Sequence, residues 1–145
     1  MASFWAPSQM ELKHTDTAQD GVTKYTILHT PCPLLPDTDI TLLNHWRTNL
    51  KHLKIIGQDP TRYGGAGYGN ISQRLDSDGA FLITGSQTGH LETLTRDHYA
   101  IVTAYTPATN TIHAHGPIQP SSESPTHAAA YTASPHITHV FHVHS

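Results

Sequence analysis

Two pairs of histidines are spaced for joint metal binding, His113 with His115 and His142 with His144. On a β-strand, residues two apart point to the same face and lie about 6.6 Å apart along the chain, at about 3.3 Å per residue. Two imidazoles at that spacing can converge on one ion, with each nitrogen about 2.1 Å from zinc. Both pairs satisfy this condition equally, so their neighbours in the sequence must distinguish them.

The neighbours favour the second pair. It lies in the apolar stretch 137–144, which predicts a strand that holds its side chains in place. The first pair lies between the turn signal PATN and a Gly-Pro step, which indicates an exposed hairpin. We therefore favour His142 and His144 as ligands. Two ligands alone make an incomplete site, because catalytic zinc usually takes three protein ligands and one open position.

A carboxylate precedes the second pair by 19 positions, at Glu123 in the stretch Ser121-Ser122-Glu123. This stretch begins a predicted helix, where free backbone amides and the positive end of the helix dipole favour anions. The same field favours an ionised Glu123 that can take up a proton during a reaction. The alternative is a capping carboxylate without a chemical role.

Two loops rich in small residues offer backbone amides to a ligand. The first, RYGGAGYGNIS over 62–72, lies between a predicted helix and a strand, whereas a dinucleotide fingerprint needs a strand first and a helix after it. A P-loop is also excluded, because no Gly-Lys-Ser/Thr follows. The second loop, TGSQTG over 84–89, follows a predicted strand and can form an anion-binding nest. A purely structural turn is the open alternative for each loop.

The elements that position these groups follow from hydrophobic periodicity and turn residues. Apolar residues at three- and four-residue steps predict a helix over 40–56, with Asp37 or Asp39 as its cap. The stripe consists of Ile40, Leu43, Trp46, Leu50 and Leu53. A second helix is predicted over 121–134, with Ser121 or Ser122 as its cap.

Strands account for most of the remaining chain. The expected strands are 22–29 at a sheet edge, 71–75 and 81–84 joined by the turn DSDG, then 98–105, 111–115 and 137–144. This order predicts an α/β fold, a layered αβα arrangement with a largely antiparallel central sheet. Residues 1–20 are polar and aperiodic, so we expect a flexible tail there and a single domain over 21–145.

The composition excludes several classes of function. The chain has 145 residues, of which 37% are hydrophobic and 13% charged, with a net charge of −3 and no basic cluster. Binding to nucleic acid or to an anionic membrane is therefore not expected. The single cysteine, Cys32, excludes an internal disulfide. Neither a membrane span nor a targeting segment is visible, and we expect a cytoplasmic protein.

The order of these motifs resembles that of the class II aldolase and adducin head family, over about residues 40–145. The resemblance is carried by GNIS, by LIT with its small-residue loop, by SSE with HAAAY, and by the closing HVHS. It implies the class II aldolase-like fold and metal-dependent retro-aldol cleavage of a small phosphorylated sugar or related hydroxy-carbonyl compound. Epimerase, dehydratase and decarboxylase activities use the same kind of site, and a non-catalytic adducin-like binding or assembly domain is the other alternative.

The resemblance also implies a role for each matching residue. Glu123 would be the acid/base that transfers protons. His142 and His144 would be ligands of Zn²⁺ or another divalent ion, a Lewis acid for the enediolate left when the C–C bond breaks. The residues that would bind the substrate phosphate are Asn70, Thr84, Gly85, Ser121 and Ser122, with Thr88 and Gly89 taking part because TGSQTG departs from the usual T-P-S/T-G loop.

Two further expectations come from the resemblance alone. Family enzymes take a third histidine ligand from a section that follows H-x-H-S. We therefore expect either that this sequence is a fragment or a truncated gene product, or that its metal site is incomplete and this form inactive. Family sites are built between subunits, which implies a homo-oligomer, a tetramer.

Overall fold

The computed structural model describes the backbone of residues 14–20 and 23–145, and the side chains from Tyr25 onward. The described elements are, in chain order, β1 (His14–Asp20), β2 (Thr23–Pro31), α1 (Thr41–His52), β3 (Gly57–Gln58), β4 (Gly67–Tyr68), β5 (Asn70–Arg74), β6 (Phe81–Thr84), β7 (Tyr99–Thr106), β8 (Thr111–Gly116), α2 (Ser124–Ala133) and β9 (His139–His142). The fold of this part of the chain is mixed α/β, as predicted. None of the described helices has the length and apolarity needed to span a membrane.

Within the described residues, one sheet contains seven strands in the order β1-β2-β8-β7-β6-β5-β9. Neighbouring strands are antiparallel in every pair apart from β2 and β8, which run parallel. The prediction of a largely antiparallel sheet is therefore confirmed. Strands β3 and β4 form a separate two-stranded ladder.

The hairpin predicted around DSDG is confirmed, because β5 and β6 pair antiparallel across it. The Asp76 carboxylate accepts hydrogen bonds from the backbone amides of Asp78 and Ala80, at 2.9 and 3.1 Å. Gly79 has φ of +96°, a left-handed conformation that glycine adopts without steric cost. These local interactions explain why the turn could be predicted from four residues.

The predictions about the places of β2 and β8 in the sheet are wrong. The strand expected at a sheet edge is β2, and it lies between β1 and β8. The pair His113 and His115 was expected on an exposed hairpin, but β8 is flanked by β2 and β7, and both side chains are half-buried. The parallel β2–β8 contact joins segments more than 80 residues apart, so no local sequence pattern could have predicted it.

Part of the segment expected to be a tail, His14–Asp20, is β1, while residues 1–13 lie outside the described residues.

The buried side chains of β6 and β7 divide into two clusters in an alternating pattern. Phe81 and Ile83 belong to the cluster that contains Tyr131 of α2. Leu82, between them, belongs to the cluster that contains Leu43 of α1. Successive side chains of a strand point to opposite faces, and this alternation distributes the core between the two helices.

Helix α1 is shorter than predicted and buries a different stripe. It ends at His52 rather than at Ile56, after which Lys54 has a left-handed φ of +63°. Leu43 is fully buried as expected, but Trp46 and Leu53 are 42% and 67% exposed. Arg47, next to Trp46 in the chain, is only 1% exposed. The apolar stripe predicted that α1 would bury Trp46, but the helix instead turns the cationic side chain of Arg47 toward the interior.

Candidate functional site

A cavity of about 360 Å³ lies where three segments of the chain meet. The segments are 66–70 before and within β5, 85–89 after β6, and 119–123 before α2. The second and third segments are joined by backbone hydrogen bonds, from the Ser86 amide to the Gln119 carbonyl at 2.9 Å and from the Ser121 amide to the Thr84 carbonyl at 3.1 Å. Two loops far apart in sequence are thus held side by side as one wall.

Two glycines allow the loops to approach each other closely. A Cβ on Gly89 would lie 2.4 Å from the carbonyl oxygen of Gly57, which no side chain could tolerate without movement of the backbone. Gly69 has φ of +84°, and a Cβ there would lie 2.6 Å from the Ile56 side chain. Both positions therefore require glycine for geometric reasons. This explains part of the glycine content that the sequence showed around the cavity.

Helix α1 holds the 85–89 loop from behind. The buried guanidinium of Arg47 donates hydrogen bonds to the carbonyls of Thr88 and Glu92, at 2.9 and 3.1 Å. The Lys51 ammonium donates to the Gly89 carbonyl at 2.7 Å. Burial lowers the pKa of Arg47 from its usual value. Sequence reasoning missed both side chains, and an arginine beside an apolar stripe was the only signal available.

Most residues predicted to bind an anion line this cavity. The lining includes Asn70, Gly85, Thr88, Gly89, Ser121, Ser122 and also Glu123. Thr84 does not line it: the side chain is buried, and its hydroxyl oxygen accepts a hydrogen bond from the Ile71 amide at 3.3 Å. The lining also contains Gln87 and Gln119, which sequence reasoning did not select.

Several of the lining hydroxyls already serve the loops themselves. The Thr88 hydroxyl donates to the Gly85 carbonyl at 2.9 Å, inside the same loop. The Ser121 hydroxyl oxygen accepts from the Glu123 amide at 3.3 Å. Ser122 is exposed. The side-chain donors left for a ligand are therefore chiefly those of Asn70 and Ser122, and the Gly85 and Ser86 amides are already bonded to the His98 and Gln119 carbonyls.

Glu123 occupies the cap position of α2, which corrects the prediction of Ser121 or Ser122 there. The helix begins at Ser124, and the Glu123 carboxylate makes no capping hydrogen bond. Its Oε2 lies instead 2.6 Å from Nδ1 of His142, and both side chains are about one-third exposed or less, at 26% and 33%. Register brings His142 to this place, because β9 pairs with β5 so that His142 lies opposite Asn70.

His144 lies two residues beyond the end of β9, because the observed strand, His139–His142, is shorter than the predicted strand over 137–144. Its backbone amide donates to the Ile55 carbonyl at 2.9 Å, which fixes the chain after the strand. The ring contacts Tyr63 edge-on at 4.8 Å between centroids, and Tyr68 at 5.5 Å. The centroids of His142 and His144 are 4.9 Å apart, so the two rings predicted as ligands are neighbours.

The comparison with protein families identifies this arrangement. The family model of the class II aldolase and adducin N-terminal domain matches residues 61–145. The chain belongs to this family. All three cavity segments and both histidines of the second pair fall within the matched region of this class II aldolase/adducin domain, while α1 precedes it. A comparison with curated protein sequences finds no match.

The donor types of His142, His144 and Glu123 suit zinc, which binds imidazole nitrogen and carboxylate oxygen. The described residues, however, contain no group of three or more His, Cys, Asp or Glu side chains arranged to hold a metal. Nδ1 of His142 faces Glu123, and His144 packs on two tyrosines. The described part of the domain thus brings two imidazoles and a carboxylate together without completing a ligand set.

The first histidine pair lies elsewhere in the domain. Neither His113 nor His115 lines the cavity. Nδ1 of His115 is 3.8 Å from the Cys32 thiol, and burial, followed by the nearby charge of His29, lowers the pKa of His115. β7 and β8 do form a hairpin across the predicted turn, but His113 and His115 are half-buried rather than exposed, and the preference for the second pair stays a prediction.

A buried histidine stands directly behind the site. His127 of α2 is fully buried and contacts Ser72 and Asn70 of β5, and the Ser72 hydroxyl contacts Tyr131. Burial lowers the pKa of His127 to about 4, with a smaller contribution from the charge of His142. His127 reaches the cavity only through Asn70, which lines it.

Proposed function

We propose that this domain carries the active site of a metal-dependent lyase of the class II aldolase type. The reaction is the retro-aldol cleavage of a small phosphorylated sugar or related hydroxy-carbonyl compound. The observation that carries the proposal is the 2.6 Å contact between the Glu123 carboxylate and His142, beside a cavity lined by neutral hydrogen-bond donors. An acid/base and a metal-binding side chain are therefore within reach of one bound substrate.

The substrate phosphate occupies the cavity between the three loops. Its oxygens accept hydrogen bonds from backbone amides of 87–89 and from Asn70 and Ser122. The N-terminus of α2 adds the favourable field of a helix end. The lining residues include neither lysine nor arginine, so the amides and side-chain donors provide the binding. Arg47 and Lys51 contribute by holding the loop, and Thr84 contributes by tying β5 to β6.

Glu123 moves the proton. In a retro-aldol cleavage a base takes the proton of the hydroxyl on the carbon that becomes the new carbonyl. The C–C bond then breaks, its electron pair moves to the carbon beside the existing carbonyl, and that carbon takes up a proton. A carboxylate next to the substrate can perform both transfers in turn, which contributes about 10²- to 10⁴-fold to the rate.

The metal site uses His142 and His144, and a third protein ligand comes from outside the described residues, since catalytic zinc usually takes three. When bound, zinc or another divalent ion supplies a Lewis acid for the substrate oxygens. The contact with Glu123 engages Nδ1 of His142, so Nε2 is the ring nitrogen that would be available to a metal ion. Epimerases, dehydratases and decarboxylases are variants of the same proposal.

A non-catalytic, adducin-like assembly domain is the second candidate. One observation favours it: the described residues contain no complete three-ligand group. The presence of Glu123 beside His142 favours the enzyme, because a domain used only for assembly does not require this pair.

Metal content distinguishes the two candidates. We expect the purified chain to contain zinc by elemental analysis, His142→Ala to lose most of it, and His113→Ala to retain it as the matched histidine control outside the cavity. A chain that binds no zinc, and cleaves no ketose phosphate, would reject the enzyme. Where cleavage is measurable, Glu123→Gln should reduce it at least about 100-fold.

We further propose a three-layered αβα arrangement in which α1 and α2 cover opposite faces of the sheet, and a homo-oligomer, a tetramer, in the cytoplasm. The division of the core into two clusters, one with each helix, supports the layers. Sedimentation of the purified protein tests the assembly, and a monomer at micromolar concentration would contradict it.

A further inference from the structure

A chain of buried polar contacts runs from α2 to the cavity. The Tyr131 hydroxyl lies 2.7 Å from the Ser72 hydroxyl, which lies 2.6 Å from Nδ1 of His127. Nε2 of His127 lies 2.5 Å from Oδ1 of Asn70. Ser72 and His127 are fully buried, and Tyr131 and Asn70 are 3% and 7% exposed. Of these four hydrogen-bonded side chains, Asn70 alone lines the cavity.

The directions of these hydrogen bonds follow from Asn70. Its Oδ1 can only accept, so Nε2 of His127 carries the proton and donates. A neutral imidazole then has an acceptor at Nδ1, so the Ser72 hydroxyl donates to it. The Ser72 oxygen is left to accept from Tyr131. With these directions, the protons on the Tyr131 hydroxyl, the Ser72 hydroxyl and Nε2 of His127 each have an acceptor. Burial lowers the pKa of His127 and so keeps its imidazole neutral.

The orientation of Asn70 has a consequence for the cavity. With Oδ1 turned to His127, the amide nitrogen faces the opposite way, 3.5 Å from Nδ1 of His142. The reverse orientation would present a carbonyl oxygen on that side instead of the amide nitrogen. The two orientations have nearly the same shape, so packing alone does not select between them, and a directional partner is needed.

We propose that His127 is a positioning residue that holds the Asn70 amide with its nitrogen toward the cavity, and so makes Asn70 a donor to an anionic substrate group. Ser72 and Tyr131 select the tautomer of His127 that can do this. The inference rests on the proposed function in one respect, because it takes the cavity to bind an anion. The orientation of Asn70 itself is independent of that activity.

The first measurement is the tautomer of His127 by long-range ¹H–¹⁵N NMR of the full chain at neutral pH, with the signal assigned by its absence from His127→Gln. We expect the neutral form protonated at Nε2. A ring protonated at Nδ1, or at both nitrogens, would overturn the inference. This result requires neither bound metal nor catalytic activity.

The second measurement is the affinity for inorganic phosphate by calorimetry. His127→Leu should weaken phosphate binding about tenfold, because the Asn70 amide is no longer held. His127→Gln, whose side-chain amide can still donate to Asn70, should remain within about threefold of the unmodified chain. A general loss of packing is controlled by Tyr99→Phe, which removes a partly buried 2.7 Å hydrogen bond from Tyr99, a member of the other core cluster, to Asn44.

A double-mutant cycle separates positioning from a merely structural role. If His127 acts through Asn70, then His127→Leu should have no further effect on phosphate affinity in an Asn70→Ala background. Additive effects of the two changes would overturn the inference. If the unmodified chain binds no phosphate at all, the proposed anion subsite fails, and the tautomer measurement alone then decides the orientation of Asn70.

Discussion

Acidification should destabilise this protein through His127. The pKa of the ring falls from 6.5 to about 4 on folding, first because burial removes its hydration and second because of the charge on His142. The folded state therefore binds the proton more weakly than the unfolded chain. Stability associated with the neutral ring is fully present above about pH 6.5 and is lost as the pH falls toward about 4.

The magnitude follows from the difference between the two pKa values, which corresponds to about 3 kcal/mol of folding free energy. Roughly 1 kcal/mol of this is lost by about pH 5.5, and most of the rest by about pH 4. The partners of the ring, Ser72 and Asn70, are neutral and offer no compensating charge. A loss of this size is a large part of the stability of an ordinary domain.

Urea unfolding followed by circular dichroism, at several pH values between about 7.5 and about 4.5, measures the effect. The chain has 13 histidines, so the unmodified protein alone does not isolate one of them. His127→Gln provides the reference, because it keeps every other histidine and does not titrate at this position. The difference between the two curves should fall by about 2–3 kcal/mol over this range. Parallel curves would refute the reasoning.

Three substitutions and one control substitution test the packing around the cavity. Leu43→Ala, in the fully buried position of α1, should cost about 2–5 kcal/mol of unfolding free energy. The control Leu42→Ala, at a position 49% exposed, should change the unfolding free energy by less than about 0.5 kcal/mol. Equal losses in the two variants would contradict the assigned helix face. Gly89→Ala places a Cβ against the Gly57 carbonyl and should cost about 1–3 kcal/mol, measured by urea unfolding; a neutral result would mean that the two loops are not in contact. Arg47→Met leaves the buried Thr88 carbonyl and the partly buried Glu92 carbonyl without their donor. It should cost about 1–3 kcal/mol for the first and less for the second, with weaker phosphate binding in calorimetry; unchanged affinity would show that the 85–89 loop keeps its shape without the guanidinium.

Elements with local causes were predictable. The β5–β6 hairpin needs only DSDG, in which Asp76 binds two amides within four residues and Gly79 adopts the left-handed conformation. The turn before β8 is similar, because Asn110 has φ of +50° and its side chain accepts from the Tyr105 hydroxyl. Turn residues act over a few positions, so a single sequence is enough to identify them.

Elements whose surroundings are distant were predicted less well. The apolar stripe of α1 included Trp46, yet the helix turns Arg47 inward, because carbonyls of the 88–92 segment are available to the guanidinium there. The cap of α2 moved from the serines to Glu123 because Ser121 is tied to the Thr84 carbonyl and to the Glu123 amide. In both cases a partner from another part of the chain outweighed the local preference.

The sequence by itself determined the chemistry that is available. It contains a carboxylate at a helix start, a His-x-His pair at the end of an apolar strand, and loops of small residues, and their order identified the family. Side-chain type and short spacings are properties of the chain, and they do not depend on how distant segments meet.

Only the tertiary structure decided which of these groups act on one another. The pairing of β9 with β5 places His142 beside Asn70, and the position of α2 brings Glu123 to within 2.6 Å of His142. The packing of α2 on β5 buries His127 against Asn70, which turns the amide nitrogen of Asn70 toward the cavity. The contacts of Asn70 with His127 and His142 cross more than fifty residues of sequence, whereas Glu123 and His142 are 19 positions apart. All of them depend on strand register and helix packing, which emerge only when the whole sheet has formed.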